Sequence, residues 1–268
     1  YYLHDQDGKS VELSRSEREK DLGVMVDDKV NFDKHIQQQV NKANSIMGLI
    51  RRTYTFLDET SFRYLFQALV RPHLQYAEEV WCPFTKKDID TIEMVQKRAT
   101  KLIFSLKNMD YPNRLKKLKM PTLQYRMLRG DMIEAYKIIN GIYDHKVVTG
   151  FFELSDVEQT RGHNKKLRKL SCKINKRKNY FSNRVIDVWN NLPQEAVSAK
   201  SVKDFEIAID KHWENQEMKY NHNANIELKT GRKRSYTIIQ RDDNKIEDPK
   251  TYILYLLLFI EYQMYTEK

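Results

Sequence analysis

The chain has 268 residues, of which 40% are hydrophobic and 31% are charged, and its formal net charge is +10. This length accommodates one large domain or two small ones. Eight glycines and six prolines are too few for the many turns of a β-sandwich or barrel, and Cys82 and Cys172 lack the spacing of a disulfide framework or a zinc knuckle. The composition predicts a mainly α protein in a reducing compartment, nuclear or cytoplasmic.

The first 30 residues carry the pattern of short strands. "KSVELS" alternates apolar and polar residues, and "KDLGVMVDD" is an apolar run that ends in an acidic turn. From Asp33 the period becomes that of a helix, with Arg51 and Arg52 in a last turn where they complement the helix dipole. The sequence therefore predicts a short β-hairpin over residues 1–30, followed by helices.

Residues 31–150 repeat apolar stripes at helical spacing and predict a bundle of four or five helices. Asp58 and Thr85 have the side chains that favour helix starts. Pro72 is expected to kink or end the helix that Asp58 opens. Pro121 suits a first helical position, where its missing N–H costs nothing.

Residues 151–219 predict a basic extension of the bundle. It begins with the loop "FFELSDVEQT", and Leu170, Cys172 and Ile174 then alternate like a short strand. A short helix ending at "NNLP" follows, and Ser201 caps a last helix.

Residues 220–268 are predicted to lie outside the fold, as a polar linker and an apolar tail. The tail "YILYLLLFI" is shorter than the roughly 20 apolar residues of a membrane-spanning helix. We therefore expect no membrane partner.

Signatures of common catalytic sites do not occur in the sequence. GxxxxGK[ST], GxGxxG, HExxH and GxSxG are all missing, and the seven histidines are scattered singly. "MVDD" at 25–28 and "RDDN" at 241–244 pair two aspartates, as do magnesium sites for phosphoryl transfer. We interpret the first pair as a polar turn between a strand and a helix, and the second as part of a linker.

Seven blocks occur in order between residues 15 and 215. They are "EKDLGVMVDDKVNFDKHI", "LVRPHLQYAEEVW", "IEMVQKRATKLI", "LQYRMLRGDMIEAYKIINGI", "RGHNKKL", "NYFSNRVIDVWNNLP" and "SVKDFEIAIDKHW". In this order and spacing they resemble the segment that follows the catalytic core in non-LTR (LINE-type) retrotransposon reverse transcriptases of the jockey- and CR1-like group. The chain starts at Tyr1 rather than Met, which favours a fragment of a longer reading frame.

The resemblance implies a fingers–palm–thumb polymerase whose metal-binding aspartates lie upstream. Met25 stands where the family's [FY]xDD motif has an aromatic residue, so no catalytic residue carries over. The implied parts are the end of the palm (1–30), a thumb-like bundle (31–150) and a C-terminal extension (151–219). The implied partners are the upstream polymerase core and an RNA template or RNA–DNA duplex, held without sequence preference. The resemblance implies no cofactor in this chain, and Mg²⁺ in the full-length polymerase.

The stretch "RGHNKKLRKLSCKINKRK" holds nine Lys or Arg among 18 residues and no acid, so the rest of the chain sums to about +1. Such density predicts contacts to a phosphate backbone, which raise affinity without reading sequence. A nuclear-localisation signal in "KINKRK" and a solvated face without a ligand stay open as alternatives. The candidate nucleic-acid-binding residues are Arg161, His163, Lys165, Lys166, Arg168, Lys169, Lys173, Lys176, Arg177 and Lys178.

Residues outside this stretch extend the hypothesis. Tyr180 is a candidate for stacking on an unpaired base, whereas Phe181 and the three tryptophans are expected in the core. Further cations that could extend the basic surface are Lys97, Arg98, Lys101, Arg126 and Arg129.

The expected function is that of a nucleic-acid-binding C-terminal fragment of an RNA-directed DNA polymerase, which is not an enzyme by itself. A protein-interaction module that a host has retained from a retroelement is an alternative from another class. A non-functional relic is the third.

Overall fold

The computed structural model describes residues 2–4, 10–12, 16–148, 150–155, 162–169, 171 and 175–228 of the chain. Two antiparallel strand pairs precede a set of helices around one hydrophobic core, which confirms the predicted mainly α fold with a β-hairpin at its start. The strands are β1 (Tyr2–His4), β2 (Ser10–Glu12), β3 (Arg18–Asp21) and β4 (Val24–Asp27). The helices are α1 (Asp33–Thr53), α2 (Glu59–Leu65), α3 (Arg71–Gln75), α4 (Glu78–Trp81), α5 (Lys86–Ala99), α6 (Tyr111–Leu118), α7 (Leu123–Ile139), α8 (His145–Val148), α9 (Asn175–Lys178), α10 (Phe181–Arg184), α11 (Ile186–Trp189), α12 (Gln194–Val197) and α13 (Val202–His212).

A two-residue turn joins β3 to β4. Its residues Leu22 and Gly23 both have positive φ, 42° and 87°, as a tight hairpin turn requires. The hydroxyl of Tyr76 donates a 2.9 Å hydrogen bond to the carbonyl of Leu22. This bond fastens the hairpin to the bundle.

The Asp27 carboxylate closes the turn between β4 and α1. It accepts hydrogen bonds from the backbone N–H groups of Lys29 (2.9 Å), Asn31 (3.2 Å) and Phe32 (3.2 Å). The structure thus agrees with the interpretation of "MVDD" as a polar turn. In the described ranges, no group of three or more His, Cys, Asp or Glu side chains is arranged to hold a metal ion.

Pro72 changes the helix that follows Asp58 without ending it. The chain passes from α2 into one wide π-helical turn at Phe66–Val70, where the N–H of Arg71 donates to the carbonyl of Phe66 five residues earlier. A π turn is a recognised way to absorb a disturbance of the regular helical hydrogen bonds. The helix therefore does not end near Pro72. It becomes irregular at the π turn and continues as α3.

The start of α7 differs from the prediction. Thr122, not Pro121, precedes the first helical residue, and its hydroxyl accepts the N–H of Tyr125 at 3.1 Å. The threonine side chain satisfies a donor that the helix leaves open, so the helix begins two positions later than the proline suggests. Pro121 lies outside the helix and accepts a hydrogen bond from Gln96 through its carbonyl, at 3.0 Å.

The predicted bundle and extension share one core. The rings of Tyr136 in α7 and Phe205 in α13 stack with centroids 4.4 Å apart. Trp189 and Trp213, both from the extension, are buried in the same core as Trp81, which confirms the expectation for the tryptophans.

The packed structure continues beyond the limit predicted at residue 219. Ile226 is buried, and Lys86 donates a 2.7 Å hydrogen bond to the side chain of Asn223. The predicted strand around Leu170 and the tail after residue 228 lie outside the described residues. None of the helices that the structure describes combines the length and apolar character needed to cross a bilayer.

Candidate nucleic-acid interface

The first half of the basic stretch is an extended segment paired with another. Leu167 and Leu154 face each other in an antiparallel bridge. Ser155 donates its N–H to the carbonyl of Lys166, and Arg168 donates its N–H to the carbonyl of Glu153, both at 2.8 Å. Leu167 is buried while Arg168 and the following Lys169 are exposed. The backbone is therefore held in place, and these two cations point to solvent.

The end of α11 anchors this segment to the core. Asn190 makes two hydrogen bonds to Leu167: its side-chain oxygen accepts the N–H at 2.8 Å, and its amide donates to the carbonyl at 2.9 Å. The indole N–H of the buried Trp189 donates to the carbonyl of Lys165 at 2.8 Å. Side chains of the "NYFSNRVIDVWNNLP" block thus hold the backbone of the "RGHNKKL" block.

His163 belongs to the core rather than to the basic surface. Its Nε2 lies 2.9 Å from the carbonyl of Trp189, and its Nδ1 accepts the N–H of Lys165 at 3.2 Å. These partners require the neutral ring with the proton on Nε2. Burial lowers the pKa of His163. With both nitrogens occupied and the ring buried, His163 positions the segment and offers no atom to a phosphate, contrary to the prediction for this residue.

Two cations of the segment meet carboxylates at the surface. Arg168 lies 3.3 Å from Glu153, and Lys169 pairs with Asp187. Side chains of both pairs are largely exposed, and such pairs contribute little to stability. The two carboxylates therefore hold these cations only weakly.

The other predicted cations are distributed over two segments. The ammonium of Lys165 hydrogen bonds to Asn140 at the end of α7, and Lys166 lies half-buried beside Gly162. Arg177 and Lys178 are exposed on α9, which also contains Lys176. The structure thus places the cations at 165–169 on one anchored extended segment, and those of α9 form a second group along the chain. Arg161 and Lys173 lie outside the described residues.

The aromatic residues after α9 differ in their access to solvent. Tyr180 is half-buried, and burial raises the pKa of its hydroxyl. Phe181 is buried and packs against Phe151 and Phe152, as expected for a core residue.

Arg126 and Arg129 do not extend the basic surface. Arg129 binds both carboxylate oxygens of Asp210, at 2.7 and 2.9 Å, and joins α7 to α13. Arg126 donates to the side-chain oxygen of Gln75 at 3.1 Å. Both guanidinium groups serve contacts between helices.

A buried polar cluster is the feature that sequence reasoning missed. Arg184 holds both oxygens of Asp131, at 2.6 and 2.9 Å, and donates to the carbonyl of Glu79 at 3.0 Å. Burial raises the pKa of Glu79 to about 8 and that of Glu78 well above its ordinary value. A Cβ on Gly130 would lie 2.5 Å from a Glu78 oxygen.

The charged residues of this cluster come from three of the seven blocks. Glu78 and Glu79 come from "LVRPHLQYAEEVW", Asp131 comes from "LQYRMLRGDMIEAYKIINGI", and Arg184 comes from "NYFSNRVIDVWNNLP". The sequence shows these residues only as charges beside apolar neighbours, and a charge that becomes buried requires a partner. These blocks meet in the interior and contribute to the fold.

Comparison with known proteins gives one distant relative. An uncharacterized protein of Caenorhabditis elegans is 28% identical over 126 residues, which are 46% of this chain and 64% of the relative. The match thus covers less than two thirds of the relative's own length. No family model and no solved structure matches the chain.

Proposed function

We propose that this chain is the nucleic-acid-binding C-terminal part of a LINE-type reverse transcriptase. It would hold an RNA template or an RNA–DNA duplex for a polymerase core encoded upstream in the same reading frame. The observation that supports the proposal is the anchored basic segment at 165–169, whose backbone is fixed by Trp189 and Asn190. A backbone ordered before the ligand arrives leaves less conformational entropy to lose on binding.

Phosphate contacts suit this segment better than base contacts. Arg168 and Lys169 are long, flexible and exposed, and such side chains neutralise a backbone without reading bases. We therefore expect binding that depends on charge and on salt, and that differs little between sequences. Localisation in the nucleus or cytoplasm accompanies this proposal.

Catalysis is assigned to the upstream core, which would also bind Mg²⁺. Asp27 belongs to "MVDD", the pattern in this chain that most resembles the family's [FY]xDD motif. Its carboxylate accepts hydrogen bonds from backbone N–H groups of its own turn. The purified chain, supplied with Mg²⁺, primer–template and deoxynucleotides, is expected to extend no primer. Extension product would contradict this part of the proposal.

Binding to a labelled RNA hairpin and to an RNA–DNA duplex tests the proposal. Replacing Lys165, Lys166, Arg168 and Lys169 by Gln should weaken both affinities by at least about tenfold at moderate salt, because four phosphate contacts are lost. The matched control replaces four exposed lysines elsewhere and should bind within about twofold of the unaltered chain. Its positions are Lys34, Lys42, Lys203 and Lys211.

If the two variants lose the same affinity, the segment at 165–169 is a solvated face without a specific ligand. No binding by the unaltered chain would favour the retained protein-interaction module or the relic.

A further inference from the structure

A second basic region lies outside the stretch at 161–178. Residues 94–119 contain eight Lys or Arg and a single acid, Asp110, so this region carries a formal charge of +7. It covers the end of α5, the connection to α6, and α6 itself. The cations are Lys97, Arg98, Lys101, Lys107, Arg114, Lys116, Lys117 and Lys119.

The buried cation of this region, Arg114, fixes the connection between α5 and α6. Its guanidinium donates to Thr100 Oγ1 at 2.9 Å, to the carbonyl of Met109 at 2.6 Å and to the carbonyl of Lys97 at 3.1 Å. These acceptors lie at both ends of the connection. The buried guanidinium therefore ties the two ends of the loop together.

Phe104 projects from this fixed loop. Its side chain is 86% exposed, although Ile103 before it and Leu106 after it are buried in the core. The loop is thus anchored through its neighbours, and the Phe104 ring contributes little to the packing. An exposed aromatic ring on a rigid support loses little entropy when a ligand covers it.

Two exposed lysines lie three residues before and three residues after Phe104 in the chain. Lys107 follows the 3₁₀ turn at Phe104–Leu106, in which side chains three residues apart lie on the same side. Lys101 stands three residues before Phe104 and is also exposed. Within the described part of the chain, no carboxylate forms an ion pair with Lys101 or Lys107.

We propose that Phe104 stacks on an unpaired base of single-stranded RNA or DNA while Lys101 and Lys107 contact the adjoining phosphates. An aromatic face beside cations is the combination that single-stranded nucleic acid requires. Within a duplex the neighbouring base pairs cover both faces of a base, so this contact selects unpaired nucleotides. The inference rests on the proposed function and deepens it. It adds a second nucleic-acid contact, at Phe104, and the ligand of this contact is an unpaired nucleotide.

The test measures binding of the full chain to a short labelled oligouridylate by fluorescence anisotropy. Phe104→Ala should weaken binding about tenfold, because one stacked base is lost. Phe104→Trp should keep or improve the affinity, whereas Phe104→Leu should behave like Phe104→Ala. The matched control is Ile207→Ala, since Ile207 is 59% exposed beside the acidic Glu206 on α13 and should have no effect.

The leucine variant separates stacking from other apolar contacts. If Phe104→Leu binds oligouridylate as well as the unaltered chain does, the contact is simply apolar and the proposal is overturned. If this variant also binds phosphatidylserine vesicles, the ligand is a lipid surface. Unaltered affinity of Phe104→Ala, or no binding of oligouridylate by the unaltered chain, would also overturn it.

The two proposals fail in distinguishable ways. Variants of Phe104 should leave affinity for the RNA–DNA duplex unchanged, and the four-cation variant at 165–169 should lower it. If the four-cation variant alone fails to lower the affinity for the duplex, the proposed function is contradicted. If the Phe104 variants alone fail to lower the affinity for oligouridylate, the stacking contact is contradicted.

Discussion

Arg184 and Asp131 form an ion pair in the interior, with side chains only 4% and 3% exposed. Removing two charges from water is costly, and their attraction together with the hydrogen bond to the carbonyl of Glu79 offsets that cost. The net contribution of such a pair to stability is small. Loss of one partner is nevertheless severe, because the other charge stays buried and unpaired.

Replacing Arg184 by Met is therefore expected to lower the free energy of unfolding by about 3–5 kcal/mol. The double variant Arg184→Met with Asp131→Leu should recover much of this loss, because no charge is left behind. Urea unfolding measures both. Arg168→Met is the control, because its exposed pair with Glu153 should change stability by less than about 1 kcal/mol. A single variant at 184 as stable as this control would contradict the account.

Glu93 provides a dependence of stability on pH. It is buried, accepts the hydroxyl of Tyr111 and accepts the N–H of Leu123 at 2.9 Å. Burial raises the pKa of Glu93 to about 7, from an ordinary value of 4.5. Between these values the folded chain keeps a proton that the unfolded chain has released, so stability falls as pH rises.

Glu93→Gln, which is neutral at every pH, should remove this part of the pH dependence. The unaltered chain should lose on the order of 3 kcal/mol more than the variant between about pH 4.5 and about pH 8. Urea unfolding at both pH values measures the difference. Parallel pH profiles for the two chains would show that Glu93 does not cause the loss.

Helix starts were predictable because their causes are local. The side chains of Asp58, Thr85 and Ser201 each accept a backbone N–H from two or three residues later in the chain. The capping residue and its partner therefore lie in the same short stretch of sequence. The apolar stripe of α1 was equally readable, since its period alone defines the buried face. Pro121 misled because the capping threonine next to it satisfies the helix start.

Contacts between elements were not predictable from one sequence. Arg184 and Asp131 are 53 positions apart, and no local rule pairs them. The positions of such partners follow from the tertiary fold, which a periodic pattern does not specify.

Two glycines within long helices should respond oppositely to a methyl group. Gly130 in α7 faces the buried Glu78, whose carboxylate a methyl group would have to displace, so Gly130→Ala should destabilise by about 1–3 kcal/mol. Gly48 in α1 has only an ordinary 3.5 Å contact with Arg52, so Gly48→Ala should stabilise by about 0.5–1 kcal/mol. Thermal or urea unfolding of both variants checks this. The same sign for both would contradict the close approach of α7 to Glu78.

Across the whole molecule, one core joins the hairpin, the bundle and the extension. The basic segment at 165–169 owes its position to this core, because Trp189 and Asn190 hold its backbone. Sequence reasoning found the charge of the segment, since charge is visible in composition. It placed His163 at the surface because nothing local shows that Trp189 covers the ring. Phe104 escaped notice because exposure of an apolar residue depends on its neighbours in space.

The salt dependence of binding to the RNA–DNA duplex is the most direct test of the central claim. Each neutralised phosphate contributes about 0.7–0.9 to the slope of log affinity against log salt, so replacing Lys165, Lys166, Arg168 and Lys169 by Gln should lower that slope by about 3. The control at Lys34, Lys42, Lys203 and Lys211 should keep the slope of the unaltered chain. A lowered slope in the first variant alone supports a phosphate-binding segment at 165–169. Equal slopes for the two variants would contradict it.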